Sequence, residues 1–84
     1  MKGGDNIFME ILTPEKVLIE AQVSKVSLPA TKGRFMVLKG HAPLISSLEE
    51  GDVTYMSGGV GGSVHIVSGF VEICDDKVTI WAEL

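Results

Sequence analysis

Phe70-Val71-Glu72-Ile73-Cys74-Asp75-Asp76-Lys77-Val78-Thr79-Ile80-Trp81-Ala82-Glu83 carries the clearest structural signal in the chain. Two apolar runs rich in β-branched residues flank the polar Asp75-Asp76-Lys77, which predicts two strands joined by a tight hairpin turn. On the second strand Val78, Ile80 and Ala82 share the inward side, while Thr79, Trp81 and Glu83 point outward. The single tryptophan is therefore expected at least partly on the surface.

Upstream, Val64-His65-Ile66-Val67 is a further strand, and Ser68-Gly69 marks a bend where a glycine relieves crowding. Ser57-Gly58-Gly59-Val60-Gly61-Gly62-Ser63 is the loosest stretch and reads as a hairpin connection to Val53-Thr54-Tyr55-Met56. Glu49-Glu50-Gly51-Asp52 is a polar turn, and Leu44 to Leu48 is an edge strand or a single helical turn. Arg34 to Leu38 is a short strand between the loops Pro29 to Gly33 and Lys39 to Pro43. From Lys16 to Leu28 the apolar set changes parity after Lys25, which predicts a bulge or bend near Ser24. Ile7, Met9 and Ile11 share one side of a first strand that ends before the turn Thr13-Pro14-Glu15-Lys16. The opening Met1 to Asn6 is polar and flexible. Short strands at such regular intervals predict an all-β fold, a flattened β-sandwich or barrel of about 8–10 predominantly antiparallel strands.

Composition agrees. Ten Val, seven Ile and four Thr make 21 β-branched residues among 84, against only four Ala. The chain's 84 residues suit one domain, 1–84. A net charge of −4 disfavours nucleic acid as a partner. The lone Cys74 excludes an intrachain disulfide and a multi-cysteine metal cluster. No apolar run approaches the roughly 18 residues of a spanning helix, and the first one stops at Leu12, so neither membrane insertion nor a cleavable leader is expected.

Chemistry-bearing residues are sparse. His41 and His65 have no recognised metal-ligand spacing with Cys74 or a carboxylate, and no cofactor is implied. Ser46, His41 and Asp52 form a nucleophile-base-acid set on paper, without a strained nucleophile elbow around the serine. The glycine-rich stretch lacks the lysine and the helix start of a phosphate loop. Cys74 is expected to be buried or half-buried, its pKa raised by acidic neighbours. Gly40-His41-Ala42-Pro43-Leu44 is the most distinctive segment: His41 either ties loop carbonyls or faces a partner. Lys32, Arg34 and Lys39 form a local positive patch suited to a polar or acidic partner surface. Phe8, Leu12, Leu18 and Trp81 add more apolar surface than one small sandwich can hide, which points to a permanent protein partner.

The ordered series Glu10-Ile11-Leu12-Thr13-Pro14-Glu15, Val23 to Pro29, Gly33, Gly40-His41-Ala42-Pro43-Leu44, Leu48-Glu49-Glu50-Gly51, Gly69-Phe70-Val71-Glu72-Ile73 and Val78-Thr79-Ile80-Trp81-Ala82-Glu83 resembles the N-terminal β-sandwich domain of the epsilon-subunit family of F-type ATP synthases. The resemblance implies a non-catalytic subunit of the rotor's central stalk. One sheet face would pack on the gamma subunit and one end would meet the c-ring, coupling ion flow to ATP synthesis. By resemblance, Thr31, Lys32, Gly33, Arg34 and His41 lie near the c-ring end, and Trp81 is a candidate for gamma contact. Two departures stand out. Met36-Val37-Leu38-Lys39 lacks the glycine and proline common in the family, and Arg34 stands where an acidic residue is frequent. The family's C-terminal helices would begin at Leu84, so the chain resembles the short form, with neither helix-mediated ATPase inhibition nor ATP binding expected. The resemblance implies a peripheral position on the cytoplasmic face of a bacterial membrane. The competing readings are a generic β-sandwich adaptor and a small hydrolase using His41 with Asp52.

Overall fold

The computed structural model describes residues 7–84. The Met1 to Asn6 reading, and the part of the leader reading that rests on those residues, lie outside the described residues. Nine strands follow one another: β1 (Ile7–Leu12), β2 (Val17–Val23), β3 (Lys25–Ala30), β4 (Gly33–Val37), β5 (Leu44–Leu48), β6 (Gly51–Ser57), β7 (Val60–Ile66), β8 (Ser68–Cys74) and β9 (Lys77–Glu83). They hydrogen-bond in the order β2-β1-β9-β8-β5-β3-β6-β7, with β4 paired to β3. All pairs are antiparallel except β1 with β9.

The continuous sheet folds back on itself. Its two halves join at the single pair Ala30↔Leu48, and their inward residues meet in one core. Ile7, Met9, Ile11, Val71, Ile73, Val78 and Ile80 enter from β1, β8 and β9, while Val26, Leu28, Val53 and Ile66 enter from β3, β6 and β7. The result is a flattened body whose principal extents are 35 × 24 × 18 Å. Along β1 and β9 burial alternates residue by residue, as strands with one buried and one open face require.

The hairpin between β8 and β9 has the expected two-residue turn. Asp75 and Asp76 both have positive φ, 51° and 59°, which matches the right-handed twist of the flanking strands and is tolerated best by glycine, Asn and Asp. Asp76 also ties two neighbours to this end. Its carbonyl accepts from Phe8 N at 3.0 Å, and its carboxylate accepts from Gly40 N at 2.7 Å. The parity break near Ser24 separates β2 from β3, and Ser24 N donates to Met56 O at 2.9 Å.

Four local readings are refined. Leu44 to Leu48 is a strand paired along its whole length with β8, not a helical turn. Pro29 and Ala30 continue β3, because Pro29 needs no donor there and its carbonyl accepts from Glu49 N at 2.9 Å. The turn before β6 is confined to Glu49 and Glu50, since Gly51 and Asp52 already pair with Ile66 and His65. Gly61 and Gly62 belong to β7, and the turn is only Gly58-Gly59. Gly62 lies opposite Tyr55, and a Cβ at Gly62 would collide with the Tyr55 ring. The aromatic ring supplies the packing that the glycine lacks.

Candidate partner-docking surface

Cross-strand partners share a face, so register alone maps the outer surface of the β2-β1-β9-β8-β5 layer. One row runs Val17, Leu12, Trp81, Phe70 and Ser47 across the five strands. The next runs Glu20, Glu10, Thr79, Glu72 and Ile45. Trp81 and Phe70 stack with ring centroids 5.0 Å apart and planes at 23°. Such a pair contributes roughly 0.5–1.5 kcal/mol beyond its buried area. Phe70 remains 48% exposed and Ile45 71% exposed, while Trp81 and Leu12 are half-buried. Beside the stack, Leu12, Pro14, Ser68, Gly69 and Glu83 complete a shallow groove. Trp81 thus lies where its parity places it. Phe70 is the residue that the sequence reading passed over, although the inward parity of Val71 and Ile73 was signal enough.

Thr31, Lys32, Gly33 and Arg34 follow one another through the turn and into the start of β4, and His41 belongs to the loop after that strand. Thr31 and Lys32 form the turn entering β4, and the Leu38–Pro43 loop leaves it at the other end. The loop folds back, so that the His41 ring lies 6.1 Å from the Phe35 ring in the middle of β4. His41 N donates to Leu38 O at 3.1 Å and its Nδ1 lies 2.7 Å from Ala42 O. These residues share edge strand β4, which pairs only with β3 among the described strands. Thr31 Oγ1 bonds Ser47 Oγ at 2.9 Å. Arg34 reaches across β3: its Nη1 donates to Asp52 O at 2.9 Å and its Nη2 to the same carbonyl.

The paper catalytic set is not assembled. Ser46 Oγ donates to Ser47 O at 3.1 Å, His41 is held by its own loop, and Asp52 pairs with His65 instead. Asp52 Oδ1 is 2.7 Å from His65 Nδ1, and Glu50 Oε2 is 3.3 Å from Nε2. The Asp52 hydrogen bond, then that of Glu50, raises the His65 pKa above the ordinary 6.5. A raised folded-state pKa means that the interaction stabilises fully below the unfolded value and is lost as pH rises through the folded one. An NMR titration of His65 is expected to give a midpoint above 6.5, and Asp52→Asn to bring it down. A midpoint unmoved by Asp52→Asn would contradict the pairing.

Cys74 corrects an expectation. It is exposed, not buried, because Val71 and Ile73 take the inward side of β8 and leave Cys74 outward with Phe70 and Glu72. The charge of Asp75 is the main cause of its raised pKa, with slight desolvation by neighbouring atoms, a hydrogen bond to Asp75 and the charge of Glu72 adding to it. Among the described residues no group of three or more His, Cys, Asp and Glu is arranged to hold a metal. No helix of the described residues is long and apolar enough to cross a membrane.

A family model for the ATP synthase delta/epsilon chain, β-sandwich domain, matches residues 6–84. The ATP synthase epsilon chain of Solibacter usitatus is 40% identical over 80 residues, covering 95% of this chain and 60% of the relative. That of Nitratidesulfovibrio vulgaris strain DP4 is 38% identical over 78 residues, covering 93% and 58%. The chain thus spans about three fifths of the length of the curated relatives it matches. In solved structures, a chain of the Euglena gracilis mitochondrial ATP synthase (OSCP/F1/c-ring) superposes with TM-score 0.86 at 22% identity, over 93% of this chain and 51% of that one. A chain of the Tetrahymena thermophila mitochondrial ATP synthase (central stalk/c-ring) gives 0.78 at 13% identity, over 99% and 67%. These two likenesses concern the fold.

Proposed function

The chain belongs to the ATP synthase delta/epsilon-chain β-sandwich family, and from that premise we propose that it is a non-catalytic central-stalk subunit of a rotary F-type ATP synthase, seated against the gamma subunit and the c-ring. The family match over nearly the whole chain carries this reading. Its mechanism is mechanical: complementary packing resists torque between the two partners, and no bond is made or broken on this polypeptide. The stacked Trp81–Phe70 pair is the gamma-facing contact. The β4 edge, with Thr31, Lys32, Gly33, Arg34 and His41 along it, faces the polar loops of the c-ring. The subunit is peripheral, on the cytoplasmic face of a bacterial membrane. The separation of Ser46, His41 and Asp52 into different partnerships favours this role over a hydrolase.

Affinity purification of the tagged chain from its own cells after mild detergent extraction tests the assignment. Gamma and c subunits are expected in stoichiometric yield. Recovery of the chain without either one would count decisively against the stalk role.

A further inference from the structure

The outer face that carries Trp81 and Phe70 also has an unbalanced charge. Glu10 and Glu20 are direct cross-strand partners, and Glu72 lies across Thr79 from Glu10 in the same row. Glu83 adds another outward carboxylate on β9, its Oε1 accepting from Ser68 Oγ at 3.1 Å. Lys77 is the one amine named among these strands' outward residues, and its Nζ stands 3.9 Å from Glu10 Oε1 while lying over the Phe8 ring. Like charges placed directly opposite oppose sheet formation; Lys77 answers Glu10, whose side chain is only 18% exposed, and among the described residues no ion pair answers Glu20 or Glu72. The neighbouring row, about 7 Å away, is the apolar Leu12–Trp81–Phe70 ridge.

We infer that this face is built for a segment of basic amphipathic character: an apolar strip seated on Trp81 and Phe70, flanked by lysine or arginine side chains over the exposed Glu20 and Glu72. The inference rests on the gamma-facing reading above and adds the chemistry of the partner surface. Bound cations relieve the repulsion that the free sheet carries, so association recovers energy the isolated chain lacks. Exposed aromatics supply affinity, and the carboxylate row supplies register and a faster encounter.

The test measures binding of the chain to its own synthase's α3β3γ assembly prepared without it, at 50 and 200 mM KCl (concentrations chosen on the order of the Debye-length range that screens such pairs). Affinity is expected to fall roughly fivefold with the added salt. Glu20→Gln with Glu72→Gln is expected to weaken binding by about tenfold at low salt. The same substitutions should raise the thermal midpoint of the free chain by about 2 °C, since they remove repulsion. That opposite movement separates a contact role from general damage. Binding that ignores both salt and the two glutamines, while Trp81→Ala still abolishes it, overturns the basic-partner inference and leaves the docking face intact. Binding indifferent to Trp81→Ala as well removes the face itself, and the inference with it.

Discussion

Gly69→Ala is expected to cost about 3–5 kcal/mol of folding stability. Gly69 pairs with Ala82, and a Cβ built there would run into the Trp81 carbonyl and press on the Ala82 Cα. Both obstacles are backbone, so no side chain can swing aside. Relief requires β8 to part from β9 where Val67 N donates to Glu83 O at 2.7 Å. For a domain whose total stability is on the order of 5–10 kcal/mol, such a loss leaves it marginally folded. Gly40→Ala is the matched control. Gly40 also has positive φ, +83°, yet a Cβ there meets nothing within 4 Å, so only the left-handed backbone penalty of about 1–2 kcal/mol applies. Urea unfolding of the two variants decides the matter. A Gly69→Ala loss no larger than that of Gly40→Ala would show that the β8–β9 contact yields.

Much of this architecture was legible because strand parity and turn chemistry are local. The shift of the apolar set across Ser24 announced two strands, and Asp75-Asp76 supplied the residues that tolerate positive φ between two apolar runs. Gly61-Gly62 was misread as loop because the reason for a glycine in β7 is the Tyr55 ring across the pair, a non-local fact. The same error concealed the His65 site. Once the turn shrinks to Gly58-Gly59, register places Asp52 opposite His65 without further information. The expectation of a buried or half-buried Cys74 rests on the usual burial of thiols, whereas the two branched residues of β8, Val71 and Ile73, take the inward side and leave Cys74 exposed. The β4 edge shows the opposite limit. Neither composition nor spacing reveals that the loop after β4 folds back to set His41 against Phe35.

Trp81→Ala is expected to separate docking from folding more sharply than any other substitution. Trp81 faces outward between the inward Ile80 and Ala82, so the core cluster does not include it. Truncation removes the stack with Phe70 and half-buried area, and folding stability falls by about 1–2 kcal/mol. Its effect on association is larger. An aromatic ring at the centre of an interface typically contributes 2 kcal/mol or more, so affinity for the α3β3γ assembly drops about 30-fold or beyond. Trp81→Phe keeps a ring against Phe70 and should restore most of that binding, which a merely polar or steric account of the site does not predict. Met36→Ala supplies the opposite-layer comparison. Met36 is 50% exposed in the groove formed with Tyr55 and Met56, and its loss should leave affinity unchanged. A binding defect in Met36→Ala that matches the one in Trp81→Ala would move the docking surface to the other side of the sandwich. Both layers carry exposed apolar side chains, Phe70 and Ile45 on one and Met36 on the other, and what distinguishes them is a rigid aromatic stack on the first and a flexible thioether on the second.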